Sequence, residues 1–195
     1  MTGANRIPGA GRLTPAKTAR FTFDGKSYTA LEGDTVASAL LANGVHLVGR
    51  SFKYHRPRGL VASGAEEPNA LVHLGKGARF EPNQRVTTTE LFAGAEMTSQ
   101  NHWPSLEFDI GAVNNQFSRF LVGGFYYKTF IHPRFAWKHI FEPVIRQSAG
   151  LGSAPKEMDG DRYEQAYDFC DILIAGGGIA GLQAALVAAT SGKRI

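Results

Sequence analysis

Arg20-Phe21-Thr22-Phe23-Asp24-Gly25-Lys26-Ser27-Tyr28-Thr29-Ala30-Leu31 is the stretch from which the fold is read. Apolar and polar residues alternate on both sides of Asp24-Gly25, and that dipeptide favours the two positive-φ positions of a tight hairpin turn. Two antiparallel strands are therefore expected here. Asp34 follows Glu32-Gly33 and is placed to cap a helix over 35–43. Val36, Ala39 and Leu40 form its apolar stripe, and Gly44 supplies a stop. Further strands are predicted over 70–74 and 85–90, and regularity fades near residue 95.

Hairpin, helix and later strands follow the order of a β-grasp, ferredoxin-like α+β domain, assigned to residues 20–100. Residues 1–19 are rich in Gly, Pro, Ala and Thr and read as a flexible arm. They contain Arg6 and Arg12 but no apolar core, so no secretory signal is read and a cytoplasmic setting is expected. Residues 101–149 hold both tryptophans and many of the 13 phenylalanines. Short helices broken by Pro104, Pro133 and Pro143 are expected in this segment. Its aromatic content fits docking onto something larger, with folding back onto the small domain as the alternative. Residues 150–167 read as a linker.

Composition bounds the chemistry. Residues 1–150 carry 17 Lys/Arg against 11 Asp/Glu, a net +6, and residues 151–195 carry −2. A charge this dilute does not mark a nucleic-acid binder. The single cysteine, Cys170, excludes an internal disulfide framework and any cluster held by several cysteines of this chain. It opens an apolar run and reads as a small buried residue. The six histidines show no H-E-x-x-H, and Pro133 separates His132 from His139, so no metal site is expected.

Residues 168–195 change character. An apolar run over 171–175 leads into Gly176-Gly177-Gly178-Ile179-Ala180-Gly181, and a helix-forming stretch follows over 182–189. This is G-x-G-x-x-G between a strand and a helix, the opening of an α/β Rossmann-type domain. Gly176 serves the tight turn, Gly178 opens the backbone to a pyrophosphate, and Gly181 allows close helix packing. All six residues are candidate cofactor contacts, with NAD expected and FAD as the alternative. The helix N-terminus adds free N–H groups and a positive dipole end. A membrane helix is the rival reading, because residues 172–189 carry no charge; consecutive glycines suit a turn better than a helix interior. The acidic ribose partner expected about 20 residues on is absent, and residues 193–195 start a strand with no neighbour. The chain is therefore expected to be the front part of a longer protein whose Rossmann domain is cut short.

Arg50, Lys53, Arg56 and Arg58 put four positive charges into nine residues. This loop reads either as a contact for a phosphate or an acidic partner, or as a solvated loop with intrachain pairs.

Taken together, residues 20–195 resemble the N-terminal part of the alpha subunits of heterotetrameric sarcosine oxidases. The resemblance is carried by Arg50-Ser51-Phe52-Lys53-Tyr54-His55-Arg56-Pro57-Arg58-Gly59, by Glu67-Pro68-Asn69-Ala70-Leu71-Val72 and by Gln100-Asn101-His102-Trp103-Pro104. It continues in Gly124-Phe125-Tyr126-Tyr127-Lys128-Thr129-Phe130 and Cys170-Asp171-Ile172-Leu173-Ile174-Ala175-Gly176. It implies a complex that oxidises sarcosine to glycine through flavins, yielding hydrogen peroxide and either formaldehyde or methylene-tetrahydrofolate. It further implies NAD on alpha, FAD on a second subunit, FMN between the two, and beta, gamma and delta partner subunits. Nucleic acid and membrane are not among the implied partners. No catalytic residue is expected within these 195 positions, and the fragment alone is expected to be inactive. Related subunits hold a 2Fe-2S cluster through cysteines spaced C-x4-C-x2-C after the Arg-Pro-Arg-Gly stretch. The matching positions here are Ala62, Glu67 and Ala70, so a domain without an iron–sulfur cluster is expected, kept for assembly.

Overall fold

The computed structural model describes residues 3–7, 9–10, 13, 17–124, 130, 132–148 and 152–195. The chain divides into two units, Met1–Asp159 and Gly160–Ile195. Of the aromatic run near residue 126, Phe125, Tyr126 and Tyr127 lie outside the described residues.

In the first unit, β1 (Thr18–Phe23) and β2 (Lys26–Leu31) form the antiparallel hairpin, with Phe21 opposite Tyr28. Asp24 and Gly25 both take positive φ, 47° and 76°. The Asp24 carboxylate also accepts bonds from the Ser99 amide at 2.8 Å and the Ser99 hydroxyl at 2.6 Å, which ties the turn to a distant strand. Alternation sends Phe21 and Phe23 into the core.

Helix α1 (Val36–Ala42) buries Val36, Ala37, Ala39, Leu40 and Ala42. Its N-cap is Thr35, whose hydroxyl accepts the Ser38 amide, and not Asp34. Asp34 is taken up one position earlier, where its buried carboxylate accepts the Leu31 amide at 2.8 Å, the Ser38 hydroxyl at 2.7 Å and the Arg6 guanidinium at 2.5 Å. The arm therefore meets the domain at Arg6. The Asn5 amide adds a bond to the Ala42 carbonyl at 3.0 Å. At the far end Gly44, at φ 77°, lets its amide and that of Val45 return to Leu41 and Leu40.

The remaining strands are β3 (Gly49–Arg50), β4 (Pro57–Arg58), β5 (Leu71–Leu74), β6 (Glu81–Arg85) and β7 (Glu96–Ser99). The main sheet runs β2-β1-β7-β5-β6, while β3 and β4 pair separately. Strand β7 is parallel to β1 and antiparallel to β5, so the sheet is mixed. Phe21, Leu40, Val48, Val72, Val86, Met97 and Leu106 fill the core between sheet and helix. Each buried side chain of this size contributes roughly 1.5–3 kcal/mol.

Two strand expectations change. The strand expected over 85–90 lies over Glu81–Arg85 instead. Beyond it the Arg85 carbonyl accepts the amides of Thr88 and Thr89 and the Thr89 hydroxyl at 2.8 Å, so the threonines turn the chain. The turn carries the Thr89 carbonyl to the Val36 amide, satisfying a first-turn donor of α1. Strand β7, the central strand, was not foreseen. Ala95, Met97 and Ser99 do alternate inward, but two of the three are small.

Residues 101–124 are irregular apart from a 3-10 turn over Ile110–Asn115. Further on, α2 (Arg134–Ala136) passes through a π turn, Trp137–Phe141, into α3 (Glu142–Ser148). The expected break at Pro143 does not occur. The π turn widens the helix just where the proline ring would meet the carbonyl four residues back.

The second unit contains α4 (Ile179–Ala189). The strand expected over 171–175 is not formed; no residue of 160–195 is in a strand. A strand requires a paired neighbour, and here the contact is confined to the amides of Asp171 and Ile172 on the Arg194 carbonyl, at 2.8 and 3.2 Å, and the Arg194 amide on the Asp171 carboxylate at 3.0 Å. Without that cover Cys170 is exposed, contrary to its expected burial. Among the described residues no helix is long and apolar enough to cross a membrane.

Candidate functional site: a glycine turn and a buried carboxylate loop

The glycine turn has distinct requirements at its three motif positions. Gly176 sits at φ 115°, which a side chain rarely tolerates. At Gly181 a Cβ would lie 1.9 Å from the Gly176 carbonyl oxygen, so only glycine lets the helix close on the turn. At Gly177 and Gly178 a Cβ would meet nothing within 4 Å. Backbone conformation thus requires glycine at 176 and close packing requires it at 181, whereas neither requires it at 178. Gly178 is the N-cap of α4, with no side-chain cap, and its carbonyl accepts the Leu182 amide at 2.9 Å. The first-turn amides, at Ile179 and Ala180 among others, have no helical acceptor.

The loop between Gly59 and Ala70 is organised by Glu67, which is fully buried. Its Oε2 accepts the amides of Val61 and Ala62 at 2.7 and 2.8 Å, and Oε1 accepts that of Asn69 at 3.3 Å. Arg85 Nε donates to the Glu67 carbonyl at 2.9 Å. Burial pushes the Glu67 carboxyl up, but the amides of Ala62, Val61, Asn69 and Ala70 outweigh it and hold the group below the ordinary carboxylate value. Sequence reading singled out Glu67 only as a position without a sulfur ligand. Sequence alone does not separate it from its neighbour Glu66, which is exposed, because its acceptor role depends on how the loop folds around it.

The basic loop is largely spent within the chain. Arg50 is buried and donates Nε and Nη2 to the Leu106 carbonyl, Nη2 to that of Glu107 and Nη1 to that of His55. His55 Nδ1 lies 2.6 Å from Asp109 Oδ2, and Arg56 Nε donates to Asn115 Oδ1 at 2.6 Å. Tyr54 donates to the Leu121 carbonyl at 2.8 Å. Of the two readings of this loop, intrachain pairing accounts for Arg50 and His55. Among the described residues no group of three or more His, Cys, Asp or Glu side chains is placed to hold a metal ion.

Comparison with known proteins gives the class first. Residues 16–102 match the family model described as a 2Fe-2S iron-sulfur cluster binding domain, and they contain the whole five-stranded sheet. The chain is, over nearly its full length, a homologue of sarcosine oxidase alpha subunits. It is 56% identical to sarcosine oxidase subunit alpha of Rhizobium meliloti (strain 1021), over 97% of this chain and 19% of that protein. Two sarcosine oxidase alpha subunits of Corynebacterium strains, U-96 and P-1, are 28% and 31% identical over 94% and 95% of this chain and 14% and 15% of theirs. The chain thus spans about a fifth or less of the length of these relatives. A crystal structure of L-proline dehydrogenase from P. horikoshii aligns with 45% of this chain and 16% of its own at 20% identity, with a TM-score of 0.35.

The family match corrects one expectation. The missing cysteines predict a domain without an iron–sulfur cluster, whereas residues 16–102 as a whole match the model of a 2Fe-2S cluster binding domain. Tested against the side chains present, these residues do not themselves make a cluster-ligand set. Ala62 and Ala70 carry no donor atom, the Glu67 carboxylate holds backbone amides, and the chain's one cysteine, Cys170, lies in the second unit.

Proposed function

We propose that this chain is the N-terminal part of an oxidoreductase subunit of the sarcosine oxidase type. The single observation that carries this reading is the 56% identity to a sarcosine oxidase alpha subunit across 97% of the chain. In this reading the β-grasp unit serves assembly with beta, gamma and delta subunits in the cytoplasm, and the second unit opens a dinucleotide-binding domain. Residues 176–181 hold the pyrophosphate. Gly176 turns the chain, Gly178 leaves room for phosphate oxygens, and the first amides of α4 donate to them. A dinucleotide bound there supplies two-electron transfer. In this reading the residues of this chain bind and orient the dinucleotide.

The reaction proposed for the assembled protein removes two electrons from the methyl C–N bond of sarcosine. Water hydrolyses the resulting imine to glycine and formaldehyde, or tetrahydrofolate captures the one-carbon unit. Oxygen accepts the electrons and becomes hydrogen peroxide. The test is sarcosine-dependent oxygen consumption by the assembled protein. Equal amounts of peroxide and glycine are expected. Oxidation of sarcosine with an artificial acceptor but without oxygen uptake would instead support a related dehydrogenase, and no oxidation at all would leave only an assembly module.

A further inference from the structure

Glu67 is a buried charge without a cation. Its side chain is fully enclosed, and among the described residues no Lys, Arg or His pairs with it. A carboxylate so placed is costly unless donors replace its water. Here the donors are all backbone amides. Oε2 takes those of Val61 and Ala62, Oε1 takes that of Asn69, and the Ala70 amide adds to the same stabilisation.

These amides come from both ends of one loop. Val61 lies six residues before Glu67 and Ala62 five, and Asn69 lies two after it. A side chain that caps a local turn takes amides from one neighbouring stretch. The outside of the loop is held separately, by the Thr87 hydroxyl on the Gly64 carbonyl at 2.8 Å and by Arg85 Nε on the Glu67 carbonyl at 2.9 Å. The inward amides therefore depend on the carboxylate. Converging backbone amides of this kind make an anion-binding concavity. Residues 16–102 match a family described as cluster-binding, whereas the negative charge at the centre of this loop is a side chain of the chain itself.

We propose that the loop over residues 59–70 is an anion site for one small carboxylate, and that the Glu67 side chain is its resident occupant. The negative charge, and not the bulk of the side chain, closes the loop. Removing the side chain leaves a site that an external carboxylate fills. This inference stands apart from the reading of the chain as an oxidoreductase subunit.

Glu67→Gly in the assembled protein, probed with sodium formate, tests it. Amide hydrogen exchange over residues 59–70 should rise by about tenfold or more in the variant, since the amides lose their acceptor. Formate should reverse the rise progressively with its concentration, as a ligand that binds only the closed loop must. Formamide, matched in shape but uncharged, and sodium chloride at equal ionic strength should reverse little of it. If Glu67→Gly folds only with formate present, the refolded yield against formate concentration gives the same reading. Glu67→Gln keeps the bulk and loses the charge, so its loop should also exchange faster, and formate should not slow it because the side chain still fills the site. Recovery with formamide or chloride equal to that with formate, or no recovery with formate, overturns the site. Exchange in Glu67→Gln at the parent rate overturns it whether or not Glu67→Gly folds.

Discussion

The guanidinium of Arg50 and the carbonyl of Leu106 share two hydrogen bonds, from Nε at 2.8 Å and Nη2 at 2.6 Å, across 56 residues of sequence. This contact fixes the aromatic segment to the sheet domain. Charged hydrogen bonds to buried acceptors are among the stronger single contributions, and losing the donor leaves the carbonyl unpaired.

Arg50→Met should therefore destabilise the first unit by about 2–4 kcal/mol. Arg50→Lys should recover little of this, because an ammonium lacks the planar fork. Urea denaturation gives the free energies. Amide hydrogen exchange should rise first over residues 103–122, and uniform exchange across the sheet would contradict the clamp.

Glu67 makes stability depend on acid. Its folded value lies below the ordinary 4.5, so between the two values the unfolded chain binds the extra proton. Its contribution is present above about pH 4.5 and is lost as pH falls through the folded value. Glu67→Gln should cost about 1–3 kcal/mol at neutral pH and flatten the stability curve in that window. An unchanged acid limb in the variant would show that the amides do not depend on the charge.

His73 acts at higher pH. Burial, and then the nearby His102, hold it below its ordinary 6.5, and the buried Nδ1 atoms of both rings lack hydrogen-bond partners. The unfolded state therefore takes up a proton first as pH drops below 6.5, and stability falls from there toward the folded value. His73→Phe keeps a ring against Phe80, now 4.9 Å away, and should reduce this slope below the ordinary 6.5. Melting temperatures across that range, with and without the substitution, decide it.

The parts of the fold carried by local chemistry were legible. Asp24-Gly25 specified the hairpin, and Val36, Ala39 and Leu40 specified the buried face of α1. What was not legible depended on long-range pairing. Strand β7 has a weak pattern because Ala95 and Ser99 are small, yet it becomes central by pairing with β1 and β5. The role of Arg50 could not be read from a cluster of charges, since its acceptors are carbonyls at 106 and 107. In the glycine turn, the needs of Gly176 and Gly181 follow from backbone geometry, whereas Gly178 faces open space and its role depends on a ligand.

That difference separates folding from binding. Gly181→Ala forces a Cβ to 1.9 Å from the Gly176 carbonyl oxygen and should distort the turn itself. Gly178 is at φ −73° and ψ 178°, which any residue adopts, so Gly178→Val should leave α4 in place.

The most direct test is the dinucleotide content of the assembled protein, measured by extraction and mass spectrometry for the parent and for Gly178→Val, with circular dichroism as the folding control. The account predicts one dinucleotide lost per Gly178→Val chain at unchanged helix content. Full retention of the dinucleotide in that variant would contradict the assignment of the glycine turn.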